Sequence, residues 1–133
     1  MMRLTILLMS LTLAACTSSA TIEQVRDRDW TLVWVEEFPS IPGGAGGPTI
    51  RFGSDGRFAG NTGCNSTGAA YSADGDRLTI GSMMMTKRAC MAAERNQLER
   101  AFVRAVGATK RFRIVNGELE LLSDGGTVLA RFR

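Results

Sequence analysis

Residues 51–90 read RFGSDGRFAGNTGCNSTGAAYSADGDRLTIGSMMMTKRAC and decide the fold of the chain. Apolar residues alternate around Asp55-Gly56, which is the pattern of a β-hairpin. One face of this hairpin is predicted to be buried, and it carries Ile50, Phe52 and Phe58. The same alternation recurs around residues 73–76. The stretch therefore predicts two successive antiparallel hairpins.

Further strands are predicted on both sides of this stretch. A first strand is predicted over residues 30–35 and a short one over residues 83–86. The tail, residues 111–132, predicts a meander whose Asn116-Gly117 pair supplies both positive φ angles of a type I′ turn. Many short, evenly spaced strands indicate a mainly β fold with one α-helix, either a small antiparallel barrel or a sandwich.

One helix is predicted, from about Cys90 to Val106. Its apolar stripe recurs every three to four residues and holds Met91, Leu98, Phe102, Ala105 and Val106. Arg95 and Glu99, four residues apart, are expected on the solvated face. The stripe has the width of a core-packing helix, so we expect the helix to pack on the sheet. The alternative, which its arginines suggest, is a helix that lies on a membrane surface.

The first sixteen residues read MMRLTILLMSLTLAAC and are similar to a bacterial lipoprotein signal. The apolar run after Arg3 is too short to cross a bilayer core, which needs about 20 residues. Small residues directly before Cys16 resemble a lipobox, which implies cleavage before this cysteine and lipid attachment to its thiol. The alternative is an ordinary signal peptide with a chance cysteine. Because Thr17 is not an aspartate, the lipobox rule implies the outer membrane, with the domain facing the periplasm.

This interpretation divides the chain into a signal peptide (1–15), an acylated tether (16–28) and one folded domain (29–133). The whole chain carries a net charge of +3, which falls to +2 when the signal leaves with its arginine. A charge this small does not predict nucleic-acid binding, and we expect a monomer. Once Cys16 is acylated, Cys64 and Cys90 remain as an even pair in an oxidising compartment, where a disulfide is the default expectation.

The sequence offers few groups suited to catalysis or metal binding. It contains no histidine and no SxxK or GxSxG pattern, which removes the usual activated nucleophiles and the commonest metal ligand. The acidic pairs Asp74/Asp76 and Glu118/Glu120 are expected in a turn and on a solvated strand face. We therefore predict no enzyme activity, no cofactor and no metal.

Three features leave alternatives open. A reactive thiol at Cys64, activated by Lys87 and Arg88, is the alternative to the disulfide. The run of methionines at residues 83–85 is interpreted as core filling, with Cu(I) binding through thioethers as the alternative. The loop over residues 39–48, rich in glycine and proline, is interpreted as a plain connector rather than a loop that grips a substrate.

Two short motifs in the stretch carry a family resemblance. The first, G-x-x-GCN-x-x-x-G-x-Y, is matched by Gly60, Gly63, Cys64, Asn65, Gly68 and Tyr71. The second, Met-Thr-x-x-x-Cys ahead of the helix, is matched by Met85, Thr86 and Cys90. With both motifs the chain resembles the META domain of the heat-shock HslJ-like proteins over about residues 29–132. Physically, the glycines permit tight or left-handed backbone, and Asn65 is expected to hydrogen-bond its own loop.

The resemblance implies a small barrel-like β domain that is commonly secreted or lipid-anchored and has no established catalytic residues. The function expected from the sequence is a non-enzymatic envelope lipoprotein, a binding or stress-protective module. The alternative is an inhibitor or pilotin-like lipoprotein that holds one protein or apolar segment, and an enzyme comes third. A filled interior would favour a protective role, and an open apolar groove would favour the binding of a segment or a lipid. Convergent polar groups with shifted pKa values would favour catalysis.

Overall fold

Nine strands and one α-helix make up the domain. The structure, a computed structural model, describes residues 19–42 and 46–133. Its elements, in chain order, are a 3₁₀ helix (Ile22–Gln24), β1 (Asp29–Val35), β2 (Thr49–Phe52), β3 (Arg57–Asn61), β4 (Ser66–Asp74), β5 (Arg77–Ile80), β6 (Met84–Met85), α1 (Ala93–Ala108), β7 (Arg111–Val115), β8 (Glu118–Leu122) and β9 (Val128–Phe132). The predicted signal peptide, Cys16 and the centre of the glycine- and proline-rich loop lie outside the described residues.

The strands form one antiparallel sheet that closes into a ring. Its order is β3-β2-β1-β9-β8-β7-β5-β4-β6, and an additional pairing of β3 with β4 closes it. The Asn116-Gly117 turn between β7 and β8 has both φ angles positive, 52° and 78°, as the sequence predicts. The fold class is therefore confirmed as mainly β, antiparallel, with a single helix.

Large apolar side chains fill the interior of the ring. The largest of them are 0–1% exposed and include Trp30, Phe52, Phe58, Phe102, Phe112 and Phe132. They arise from the alternation within each strand, because every second side chain points inward. The predicted burial of Ile50, Phe52 and Phe58 on one hairpin face is confirmed.

Helix α1 packs its apolar stripe against this interior. Leu98, Ala101, Phe102, Ala105 and Val106 are buried, and the Phe102 ring lies 6.5 Å from that of Phe132. The predicted packing of the helix on the sheet is confirmed. The helix begins three residues later than predicted, so Met91 lies ahead of it and is fully exposed rather than part of the stripe. Among the described residues, no helix is long and apolar enough to span a bilayer.

The segment before β1 is packed on the domain. Val25 is 1% exposed, and its carbonyl accepts a hydrogen bond of 2.8 Å from the Trp30 indole nitrogen. The Asp27 amide donates to the Phe52 carbonyl, also at 2.8 Å. The structure therefore differs from a tether that extends to residue 28, because apolar Ile22 and Val25 supply core contacts that the polar composition of this segment conceals.

Candidate functional site

A disulfide anchors the motif loop between β3 and β4. Cys64 lies in this loop, and its sulfur is bonded to that of Cys90, with the two Cα atoms 5.6 Å apart. Cys90 lies just before α1, so the bridge ties the loop to the start of the helix. The expected pairing of these two cysteines is present in the structure.

Asn65 is the centre of the hydrogen-bond network beside the disulfide. Its amide nitrogen donates to the Arg88 carbonyl at 2.9 Å and to Glu99 Oε2 at 2.8 Å. Its amide oxygen accepts from the Arg88 amide at 2.7 Å and from Thr86 Oγ1 at 2.9 Å. The side chain, in a residue only 3% exposed, thus bonds two other segments of the chain. The sequence had predicted a hydrogen bond to its own loop instead.

Glu99 joins the network from the helix, which the sequence does not predict. Its Oε2 accepts from Thr62 Oγ1 at 2.5 Å as well as from Asn65. Thr62 Oγ1 in turn accepts from the backbone N–H of Asn65 at 2.9 Å. Glu99 is half-buried, so its predicted place on the solvated face with Arg95 is wrong. Helical periodicity does not reveal this burial, because the loop that covers Glu99, residues 62–65, is distant from it in the sequence.

The other motif residues divide into those near this network and one that is distant. Position 63 requires a glycine because its φ is +91°, a conformation that other residues rarely adopt. Position 60 requires one because a Cβ there would lie 2.8 Å from Thr67 Cγ2. Gly68 lies on β4 opposite Met84. Tyr71 is separate: its hydroxyl donates to the Gly53 carbonyl at 2.6 Å, and burial raises its pKa. Its role there is to close the β2–β3 turn.

The methionine run lies at an edge rather than in the core. Only Met83 packs against the core, whereas Met84 is 80% and Met85 38% exposed. Core filling is therefore the wrong interpretation for Met84 and Met85. Strand β6 pairs with β4 alone, and its two methionines line a groove of about 490 Å³ with Arg57 and Thr67.

The cluster could hold a metal ion only after reduction. Within the described residues, Cys64, Cys90 and Glu99 are the one group of three His, Cys, Asp or Glu residues whose ligand atoms lie within 4.8 Å of one another. Both sulfurs are in the disulfide, and the thiolate is the form that binds metals or attacks substrates. In the oxidised protein this arrangement is a structural one.

A second polar cluster lies on the outer face of β7, β8 and β9. Glu120 accepts hydrogen bonds from Arg113 Nε at 2.5 Å and from Arg131 Nε at 2.9 Å. Burial acts to raise the pKa of Glu120, but the two guanidinium groups outweigh it and hold the pKa below its ordinary value. The prediction that Glu120 is solvated is wrong, since the residue is 5% exposed.

Asp76, from the acidic pair Asp74/Asp76, is also held in an ion pair, with Arg111. Hydrogen bonds from the Arg111 guanidinium hold its pKa below the ordinary value. Across the described part of the chain, every fully buried side-chain nitrogen and oxygen has a hydrogen-bond partner. The polar groups that sequence motifs single out therefore stabilise the fold rather than stand free.

Comparisons with solved structures agree with this architecture. An NMR structure of a protein from Burkholderia xenovorans has a TM-score of 0.67 and 23% identity, covering 98% of each chain. A second NMR structure has a TM-score of 0.67 and 19% identity, covering 85% of this chain and 94% of the other. The crystal structure of a DUF4847 family protein from Bacteroides vulgatus has a TM-score of 0.57 and 17% identity, covering 84% and 94%. At these identities the likeness establishes the fold alone.

A family model extends the comparison to sequence. No curated protein matches the chain. The model of the META domain matches residues 20–133, a range that holds both motifs, the disulfide and the packed segment before β1. The resemblance inferred from the motifs is thereby confirmed, and the chain belongs to the META domain family.

Proposed function

We propose that this protein is a non-catalytic lipoprotein of the bacterial envelope, held to the outer membrane by acyl chains on Cys16 and acting as a binding or stress-protective module. The observation that carries the proposal is that the polar groups of the motif are all engaged in bonds that stabilise the fold. Asn65 and Glu99 bond each other and the adjoining segments, and Cys64 is bonded to Cys90. An enzyme keeps a nucleophile, acid or base free to meet its substrate, and this cluster keeps none.

Two further observations support the proposal. Aromatic side chains fill the interior of the ring, which leaves little room for a buried small ligand. A disulfide is typical of proteins that fold outside the cytosol, where Cys16 would meet the acylation machinery. Because the module offers surfaces rather than a reaction centre, its function rests on what it binds or shields.

The intact mass of the protein tests the anchor and the thiols together. The full chain is expressed in a Gram-negative host, purified from membranes and treated with a thiol-alkylating reagent before and after reduction. We expect a mature mass that begins at an acylated Cys16, and two alkylated thiols only after reduction. Cys16→Ser serves as the control and should keep its signal peptide. A soluble, unacylated protein whose Cys64 reacts without reduction would overturn the proposal and favour thiol chemistry.

A second candidate is the binding of an apolar segment of a partner protein, as in an inhibitor or pilotin-like lipoprotein. The groove beside β6 favours it, since exposed methionines adapt to varied apolar surfaces and an edge strand can accept an extended segment. A photo-crosslinking residue at position 84 tests it in cells, with position 97 on the exposed side of α1 as control. One discrete adduct at position 84 alone is expected. Equal, diffuse labelling at both positions would contradict this candidate.

A further inference from the structure

One face of the sheet carries a row of side chains that the proposed function does not use. Across the strands, Trp34 on β1 lies beside Arg131 on β9, Arg131 beside Glu120 on β8, and Glu120 beside Arg113 on β7. The residues next to them in each strand, such as Leu119 and Leu121, are in the core, so the row points outward. With Arg111 on the same side of β7, these residues are here called the arginine face.

The charges of the arginine face are held in fixed positions. Glu120 accepts from the Nε atoms of Arg113 and Arg131, which leaves their terminal nitrogens for another acceptor. The two side chains are 51% and 41% exposed. The Arg131 guanidinium also lies 5.0 Å from the centre of the Trp34 ring. Two guanidinium groups thus share one carboxylate, and the row carries an excess positive charge.

The chain enters the domain beside this face. Ser19 and Ala20 line a groove of about 430 Å³ whose other wall includes Arg111 and Arg113. Cys16 precedes Ser19 by three residues, and three Cα–Cα steps reach at most about 11 Å. A lipid attached at Cys16 therefore holds the bilayer close to these two arginines.

We propose that the arginine face lies on the anionic phospholipid headgroups of the membrane that holds the anchor. This proposal rests on the lipid anchor of the proposed function. Guanidinium groups bind phosphate oxygens in pairs, and tryptophan favours the boundary between headgroups and acyl chains. A face of this composition, set beside the anchor, orients the domain on the bilayer.

The charge balance explains why the face needs the anchor. Five arginines lie on it or at its rim, the last two being Arg133 and Arg77, the strand partner of Arg111. Four acidic groups face them, Glu118, Glu120, Asp76 and Asp124. One excess charge does not hold a free protein on a membrane. The anchor supplies a high local concentration of headgroups, so a weak attraction suffices to select the orientation.

Trp34 is a natural probe of this contact. The chain has two tryptophans, and Trp30 is 1% exposed inside the ring. The mature protein, purified from membranes, is reconstituted into vesicles of phosphatidylcholine, with and without phosphatidylglycerol, that contain a lipid with a nitroxide on its headgroup. We expect the nitroxide to quench Trp34 emission, more strongly with phosphatidylglycerol. We expect 1 M NaCl, where screening acts over about 3 Å, to remove the added quenching. Trp34→Phe should abolish it.

A matched pair of arginine variants tests the charge. Arg113→Gln leaves Glu120 with Arg131, and we expect it to lose about half of the quenching that phosphatidylglycerol adds, since each arginine near an anionic surface contributes comparably. Arg104→Gln is the control, because Arg104 is exposed and ion-paired with Glu37 on another surface. Should Arg113→Gln fail to fold, the salt and lipid dependence of Trp34 in the unaltered protein still decides.

Flotation of the vesicles separates the two ways of failing. Protein that does not float with them lacks the anchor, which overturns the proposed function and this inference with it. Protein that floats while Trp34 stays unquenched keeps the anchor and overturns the arginine face alone, and the face would then be free for a protein partner. Flotation with quenching that depends on phosphatidylglycerol supports both.

Discussion

Asn65 shows how a single side chain holds three segments together. Both donors and both acceptor positions of its amide are occupied. Asn65→Asp keeps the shape but sets a carboxylate against Glu99 and the Arg88 carbonyl. We expect it to lower the free energy of unfolding by about 2–4 kcal/mol, because it buries unpaired acceptors. Urea denaturation at neutral pH measures the change.

Asn61→Asp is the matched control for that substitution. Asn61 is exposed at the end of β3, directly before this loop, and its side-chain oxygen accepts from the Gly63 amide, a bond that aspartate also makes. We expect less than about 0.5 kcal/mol of change. Equal losses in the two variants would show that the network around Asn65 does not hold the loop.

Glu120 predicts a dependence of stability on pH. Its pKa is lowered in the folded protein, so its contribution is complete above the ordinary glutamate pKa of about 4.3 and is lost as the pH falls through the lowered value. Glu120→Gln should cost about 1–2 kcal/mol at pH 7, below the figure for a fully buried pair because both arginines are half-exposed. The difference from the unaltered protein should shrink below about pH 4.

Thermal unfolding across this pH range provides the measurement for Glu120. Glu118→Gln is the control on the same strand and face, since the one ion pair that Glu118 forms within the described residues is with the exposed Arg133. We expect it to change stability little at any pH. A Glu120→Gln deficit that stays constant down to acid pH would exclude ionisation of Glu120 as its cause.

Residues that are buried by partners on other elements are the ones that sequence reasoning misplaces. Alternation identifies the buried side of a strand but not a cluster of partners on its outer side, so Glu120 is predicted to be solvated. Glu99 follows the same rule, since a carboxylate on the polar face of a helix becomes half-buried only when a distant loop covers it. The cysteine pair is different, because setting Cys16 aside as the predicted site of lipid attachment leaves one pairing, that of Cys64 with Cys90.

At the scale of elements, local chemistry predicts the hairpins well. Turn residues and alternation lie within a few positions of each other, so the β2–β3 and β7–β8 hairpins follow directly from the sequence. The start of α1 does not, because Asn96 and Cys90 bond each other across the turn before the helix and leave Met91 outside it. Closure of the ring also depends on pairings between distant strands, which periodicity does not specify.

The disulfide should stabilise the irregular segment between β5 and α1. Cys64 and Cys90 are 26 residues apart, and closing a loop of that size contributes about 3–4 kcal/mol by the chain-entropy estimate. We expect reduction to lower the melting temperature and to speed amide hydrogen exchange first in residues 86–97. The β7–β8 hairpin, remote from the bridge in sequence, serves as the internal control. A reduced protein, shown by thiol titration to have two free thiols, that melts at the same temperature as the oxidised protein would contradict this prediction.

For the molecule as a whole, the N-terminal boundary of the domain follows from the packing of residues 19–28 and not from their composition. Residues 19–28 are polar enough to resemble a linker, yet the family model begins at residue 20 and Val25 is buried. Such contacts matter in a small domain, because its net stability is a small difference between the large free energies of burial and of conformational entropy. The packed segment also fixes where the chain enters the domain.

Two truncated chains test this boundary. A chain that starts at residue 29 loses Val25 and the hydrogen bonds of Trp30 and Asp27 to their carbonyl partners, whereas a chain that starts at residue 19 keeps them. We expect the shorter chain to be less stable by about 2–4 kcal/mol, from one buried aliphatic side chain and two hydrogen bonds. Urea denaturation compares the two chains. Equal midpoints and equal slopes would mean that the segment merely rests on the ring, and the domain would then begin at β1.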